Sequence, residues 1–222
     1  ARAETGEPYM INLDTCNEAL PKAQKDLGLN IRQSNLCSEI TLPTNEERTA
    51  VCCLSSVNLE HFDKWSKNDE FINDLITMLD NVLQHYIDNA VDTSQLGEYS
   101  ANFKRFSKYI KEDKEGYTKS AYSAYRERSL GLGAMGFHAY LQSKGIPFEG
   151  IFATGFNHKA FSHIKREATK ASQYLAEERG EAPDIHSSGH RNSHLLAVAP
   201  NASSSIICGG TSPSIEPVRA NV

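Results

Sequence analysis

The stretch Arg32–Thr44, RQSNLCSEITLPT, sets Asn35, Cys37 and Glu39 at alternate positions. In an extended chain, side chains two apart share a face, so this spacing predicts an amide, a thiol and a carboxylate on one short rib. Pro43 excludes a continuing helix there. A second thiol-bearing stretch, AVCCLSSVNL (Ala50–Leu59), follows at once. Its small, β-compatible residues predict a buried strand on which Cys52 and Cys53 face opposite sides.

Further along, SLGLGAMGF (Ser129–Phe137) reads as a packed, glycine-rich strand entering a helix, FHAYLQSKG, that stops at Gly145. HLLAVAP (His194–Pro200) reads as another short apolar strand, and Pro8–Asp14 as a fourth, with Tyr9, Ile11 and Leu13 alternating. Between them lie two periodic segments. Apolar residues from Phe71 to Ile87 recur at three- and four-residue intervals, predicting a helix over Ser66–Ala90 with Ser66 and Asp69 as a capping box. Phe161, Ile164, Ala168, Ala171 and Leu175 mark a second, over Asn157–Arg179, ended by Gly180. The polar, aromatic run from Ser94 to Arg128 predicts a loop with short helical pieces. Strands separated by helices favour an α/β architecture over a bundle.

Composition narrows the functional classes. With 39% hydrophobic and 23% charged residues over 222 positions, the chain can bury a core and is not disordered. A formal charge of −5 carries no basic footprint, which excludes nucleic acid as the main partner. No apolar run approaches the ~20 residues that span a bilayer, and no signal peptide is evident, so neither membrane attachment nor secretion is expected and a cytoplasmic protein is. Five cysteines, Cys16, Cys37, Cys52, Cys53 and Cys208, without a repeating spacing suit reduced thiols. The opening without Met and the stop just after a Gly/Pro-rich loop lead us to expect a piece of a longer polypeptide.

Four kinds of chemistry can be weighed on these motifs. The run Asn201–Ser205 offers hydroxyls and free N–H groups where a helix starts, which suits an anion, although an N-cap is the plainer reading. Gly131, Gly133 and Gly136 match G-x-G-x-x-G, but inside an apolar strand, so close backbone packing is preferred over a dinucleotide. His186 and His190 flank a loop and two adjacent strand cysteines cannot share one ion, so no metal site is expected. For the thiols, Glu39 beside Cys37 disfavours a thiolate nucleophile, while a neutral thiol next to a carboxylate suits hydrogen-atom transfer coupled to proton transfer. A dithiol redox enzyme using Cys52 and Cys53 is the weaker alternative.

Taken together and in this order, RQSNLCSEITLPT, CCLSSVNL, RERSLGLGAMGF, RNSHLLAVAPNASSS and TSPSIEP resemble the large, catalytic subunit of ribonucleotide reductase, in the manner of the aerobic class I enzymes of bacteria and phages. The resemblance covers nearly the whole chain. It implies an α/β fold, part of a ten-stranded α/β barrel, helix-rich and incomplete here: a single partial catalytic barrel domain over residues 1–222, with a finger loop near 33–44 and a phosphate loop near 200–205. It implies that Cys37 becomes the thiyl radical that removes the ribose 3′ hydrogen, that Glu39 takes the 3′-hydroxyl proton and that Asn35 hydrogen-bonds the substrate. Cys52 would be one of the reducing pair. Leu54 would line the pocket, and Pro200, Asn201, Ala202, Ser203 and Ser204 would hold the phosphates of a ribonucleoside diphosphate.

The resemblance also implies partners: the remaining segments of the large subunit, a small subunit whose metal site generates the radical, and thioredoxin or glutaredoxin as reductant, with no cofactor bound directly by this chain. The second cysteine of the reducing pair belongs to a family segment upstream of it. Asn201 and Ala202 stand where some relatives have polar or acidic residues. The competing expectation is a non-catalytic split or remnant fragment that docks with a complementary chain.

Overall fold

A computed structural model describes residues 2–90 and 118–218. Two parallel strands, β1 (Cys53–Asn58) and β2 (Leu130–Met135), pair in register from Cys53 opposite Leu130 to Asn58 opposite Met135. Leu196 adds a parallel bridge to Leu132, and the N–H groups of Leu130 and Leu132 donate to the carbonyls of His194 and Leu195. The expected strand His194–Pro200 is thus reduced to a bridge. Its neighbour explains the shape: a Cβ on Gly133 would lie 2.3 Å from the Ala197 carbonyl oxygen, so the glycine admits a backbone approach tighter than a regular ladder.

Helices carry most of the chain. The short α1 (Arg2–Thr5), α2 (Leu13–Glu18) and α3 (Lys22–Asp26) precede β1, and α4 (Phe62–Trp65) and α5 (Phe71–Asn89) follow it. Then α6 (Lys119–Glu127), capped by the Thr118 side chain on Ala121 N, leads into β2 and α7 (Phe137–Ser143). Last come α8 (Ile151–Arg179) and α9 (Ala202–Ile207). α5 buries Ile72, Ile76, Leu79, Leu83 and Ile87 against α8, whose facing stripe is rich in alanine. Alanines at Ala160, Ala168 and Ala171 let the two helix axes approach closely. Phe62, Tyr140 and Phe156 close the core's other end, with the last two rings stacked at 3.7 Å.

Three expectations are corrected. Pro8–Asp14 is not a strand: the Asn12 side chain accepts from Thr15 N and starts α2, and Tyr9 and Met10 stay exposed, with no strand beside them among the described residues. Ser66 does not cap α5 but closes α4, and the Asn68 side chain turns the chain by accepting from Glu70 N before α5 begins. α8 begins at Ile151 behind Gly150, about one and two-thirds turns before Asn157. The prediction for Ser94–Arg128 lies mostly outside the described residues; its described end forms α6.

Candidate functional site

The finger segment and the approach to β1 enclose a cleft of about 710 Å³ whose wall includes Ser34, Asn35, Arg48, Cys52 and Leu54. The finger is not the extended rib that the alternation predicts. Asn35 closes a turn on itself: its carbonyl accepts from Ser38 N at 3.1 Å and its side-chain oxygen from Ile40 N at 3.0 Å. Ser38 takes up a left-handed φ of 66°, so the strict period of two is lost across Cys37. Ser34 Oγ, donating to Ile40 O at 2.7 Å, locks the same turn. The Asn35 NH₂ remains as the end available to donate to a ligand.

Asn35, Cys52 and Leu54 therefore meet on the cleft wall. Cys37 stands at the exposed tip of the turn, outside that wall, beside Leu36, which is 88% exposed. Glu39 lies close enough for its charge to act on the Cys52 thiol. Its Oε2 is buried without a hydrogen-bond partner among the described residues. A buried carboxylate oxygen left unpaired is costly, and a ligand hydroxyl would satisfy it.

Cys52 is held as a neutral thiol. Burial above all, and then the charges of Cys53, Glu39 and Glu127, push it up to about 12. Gly131 makes this placement possible, since a Cβ there would come within 2.3 Å of Leu54 Cδ2 and 3.1 Å of Cys52 Sγ. The glycine run thus serves close packing, as its apolar setting suggests. Cys53 packs against the core on the other side, and all five cysteines are free.

The serine segment sits at the other end of the strands. Asn201 is buried, and its Nδ2 donates to Ala134 O at 3.3 Å and Ala199 O at 2.8 Å, which ties α9 to the end of β2. Its side chain makes no cap bond, so it leaves the first-turn amides of α9 uncovered. Ala202, Ser203 and Ser204 are exposed, as is Pro200. The serine turn does not line the cleft; Ala134 and Leu130 are four residues apart on β2, about 13 Å.

Two buried ionic clusters were not read from the sequence. Asp80 accepts from Arg128, Arg179 and Arg191 at 2.9–3.2 Å and from Asn192 Nδ2 at 3.2 Å. Burial alone would raise its pKa; the guanidiniums of Arg128 and Arg191 outweigh this and hold it below the usual range. In the second cluster Arg48, on the cleft wall, pairs with Glu127 at 3.2 Å and with Asp184, which also takes Arg126 at 2.6 Å. These partners lie far apart in sequence. The one local signal was the charged run RERS (Arg126–Ser129), which sits at the junction between α6 and the apolar β2. Among the described residues no group of three or more His, Cys, Asp or Glu side chains is placed to hold a metal ion, and no helix is long and apolar enough to cross a membrane.

Comparison with known proteins adds independent findings. A family model described as the ribonucleotide reductase barrel domain matches residues 1–185 and 182–222. The chain is 51% identical over 221 residues to the ribonucleoside-diphosphate reductase large subunit of Invertebrate iridescent virus 3, covering 100% of this chain and 31% of that protein. It is 48% identical over 216 residues to a putative ribonucleoside-diphosphate reductase large subunit of Frog virus 3, covering 97% of this chain and 34% of that one. Among solved structures, the Actinobacillus ureae class Id ribonucleotide reductase alpha subunit matches 99% of the chain and 38% of its own length, with a TM-score of 0.83 at 35% identity. The chain thus spans about a third of the length of the curated relatives it matches.

Proposed function

The chain belongs to the ribonucleotide reductase large-subunit family, as part of its α/β barrel, and from that premise we propose that it carries the substrate-facing part of a ribonucleoside-diphosphate reductase working by thiyl-radical chemistry. One observation supports this most: the cleft gathers an amide, a neutral thiol and, beside them, a buried carboxylate oxygen with no partner among the described residues. A ribose presents matching groups. Asn35 donates to a ribose oxygen, and Glu39 Oε2 accepts the 3′-hydroxyl proton.

Cys37, as a thiyl radical, removes the 3′ hydrogen atom and later returns it. The 2′-hydroxyl leaves as water, and Cys52 with a second thiol from another segment supplies two electrons and two hydrogens, becoming a disulfide. A protonated Cys52 suits this role, because it brings its hydrogen with it. Ser203, Ser204 and the first-turn amides of α9 hold the phosphates, since a helix start with uncovered N–H groups attracts anions. Pro200, Asn201 and Ala202 shape that turn; the Asn201 side chain, already bonded to Ala134 and Ala199, acts there through position only.

The exposed finger tip argues that turnover needs more protein than this chain. A thiyl radical at Cys37 must be shielded from water, and Leu36 beside it is uncovered. We assign that shield to the remaining large-subunit segments, radical generation to the metal site of a separate small subunit, re-reduction to thioredoxin or glutaredoxin, and the whole to the cytoplasm. The exposed Leu36, Ile206 and Ile207 also favour a second reading, a non-catalytic piece that docks with a complementary chain. Calorimetry separates the two. The catalytic reading predicts that a ribonucleoside diphosphate binds this chain and that the double change Ser203→Ala, Ser204→Ala weakens binding by about tenfold or more, as loss of hydrogen bonds to a charged group does. Binding that ignores the double change would remove the phosphate assignment, and no binding would favour the docking piece.

A further inference from the structure

A second cleft, of about 470 Å³, opens where α8 meets the segment after residue 185, with Lys165, His190, Ser193 and His194 among its lining residues. Ser193 bonds to Glu127 of the buried ionic cluster behind the first cleft, and His194 bonds to Ser193. Ser193 Oγ lies 2.9 Å from His194 Nδ1 and 2.9 Å from Ser129 Oγ, and Ser129 Oγ donates to Glu127 Oε2 at 3.5 Å. The other oxygen of Glu127 accepts from Arg48, which lines the first cleft. We propose that Ser129, Ser193 and His194 form a proton path that joins the Glu127 carboxyl, behind the Cys52 cleft, to the second cleft.

The backbone builds this line. Arg128 adopts a left-handed φ of 46° at the end of α6 and sends its guanidinium to Asp80, while Glu127 and Ser129 make the contacts of the path. Ser193 N donates to Glu127 O at 3.0 Å, and Leu130 N to His194 O at 2.9 Å, so the two segments run side by side. Ser129 is fully buried, so its hydroxyl is shut off from bulk solvent.

Each member suits proton transfer. Hydroxyls donate and accept at once. Glu127 is pushed up to about 7, by burial first, with Arg48 opposing and Asp184, itself paired to Arg126, adding to it. It therefore gains and loses its proton near neutrality. His194 is pushed down to about 4 by its surroundings while keeping partial exposure, so it passes a proton on without holding it. Outward, Glu127 gives its proton to the Ser129 oxygen, Ser129 gives its own to Ser193, and Ser193 gives its own to His194 Nδ1. The imidazolium then releases its Nε2 proton to water in the second cleft, leaving a carboxylate beside Arg48. One proton leaves and no electrons move; the reverse sequence refills Glu127.

The use we assign to this path rests on the reductase reading: the charge on Glu127 acts on the Cys52 thiol, and the path resets that charge while substrate fills the first cleft. The path itself is testable without turnover or nucleotide, so failure of the reductase reading leaves the test intact. In the chain labelled with ¹³C-glutamate, infrared spectroscopy should show a protonated carboxyl that titrates near neutrality and is missing in Glu127→Gln. After a pH jump, Ser193→Ala and His194→Phe should each slow the change of that band by about tenfold or more, and Ser193→Thr, which keeps the hydroxyl, should restore it. An unchanged rate in either slowed variant, a Thr variant as slow as the Ala one, or no carboxyl titrating near neutrality would overturn the proposal. If the Ser193 variant fails to fold, His194→Phe alone decides.

Discussion

At the scale of single residues, Glu127 is where burial and pairing conflict most. Arg48 serves both Glu127 and Asp184, so Glu127 receives only part of one cation. Its raised pKa has a consequence for stability with a definite sign. Between the ordinary carboxylate range and about pH 7 the folded chain holds a proton that the unfolded chain has released, so stability falls as pH rises, by about 3 kcal/mol across that window. His194, pushed down to about 4 by burial, contributes the opposite slope over part of this window, so the test is a difference: urea unfolding at about pH 5 and about pH 8 should show stability falling with pH by less, or rising by more, in Glu127→Gln than in the unaltered chain, and an identical pH dependence in the two would contradict it. The pairing was not legible in the sequence beyond the charged run RERS, because Arg48, Glu127 and Asp184 meet only through the fold. The site was partly legible. Two of the residues named from the sequence, Asn35 and Cys52, do share a cleft. The even alternation was not legible, because the Asn35 side chain and carbonyl both bend the finger back, a local hydrogen-bond choice that a period-two reading cannot anticipate.

At the scale of elements, the contact between β1, β2 and the bridge at Leu196 positions the cleft, and glycine sets its dimensions. Gly131→Ala places a methyl into Leu54 and Cys52, and overpacking of this kind costs about 1–3 kcal/mol. We expect a lower unfolding midpoint together with a displaced Cys52, read as faster alkylation of that thiol; alkylation and midpoint both unchanged would show that the wall yields without consequence. The two glycine-flanked elements, β2 and the C-terminal end of α8, were legible because their signals are local: an apolar glycine run, and Gly180 with its left-handed φ of 86°. The start of α8 was not. Ala153 and Phe156 face inward there, but the large apolar Ile151 and Phe152 beside them are exposed, which blurs the stripe that a periodicity would detect. Pro8–Asp14 misled for the opposite reason, showing alternation with no strand to pair against.

At the scale of the whole molecule, the described residues form a two-stranded parallel sheet with helices packed on it, and large apolar side chains remain uncovered at Leu36, Ile206 and Ile207. Those positions fall on the finger tip and on α9, the two places where the proposed chemistry needs cover and a substrate. Share of length and distribution of exposed surface agree: the chain is about a third of its relatives. Within the full large subunit, the proposed chemistry requires above all that Cys37 carry the radical and contribute little to binding. The decisive measurement is deoxynucleotide formation by a large subunit containing this segment, combined with its small subunit, before and after Cys37→Ser. Turnover should disappear while diphosphate affinity stays within about twofold, since loss of an interaction made only in the transition state leaves ground-state binding intact. Retained turnover in the serine variant would contradict it.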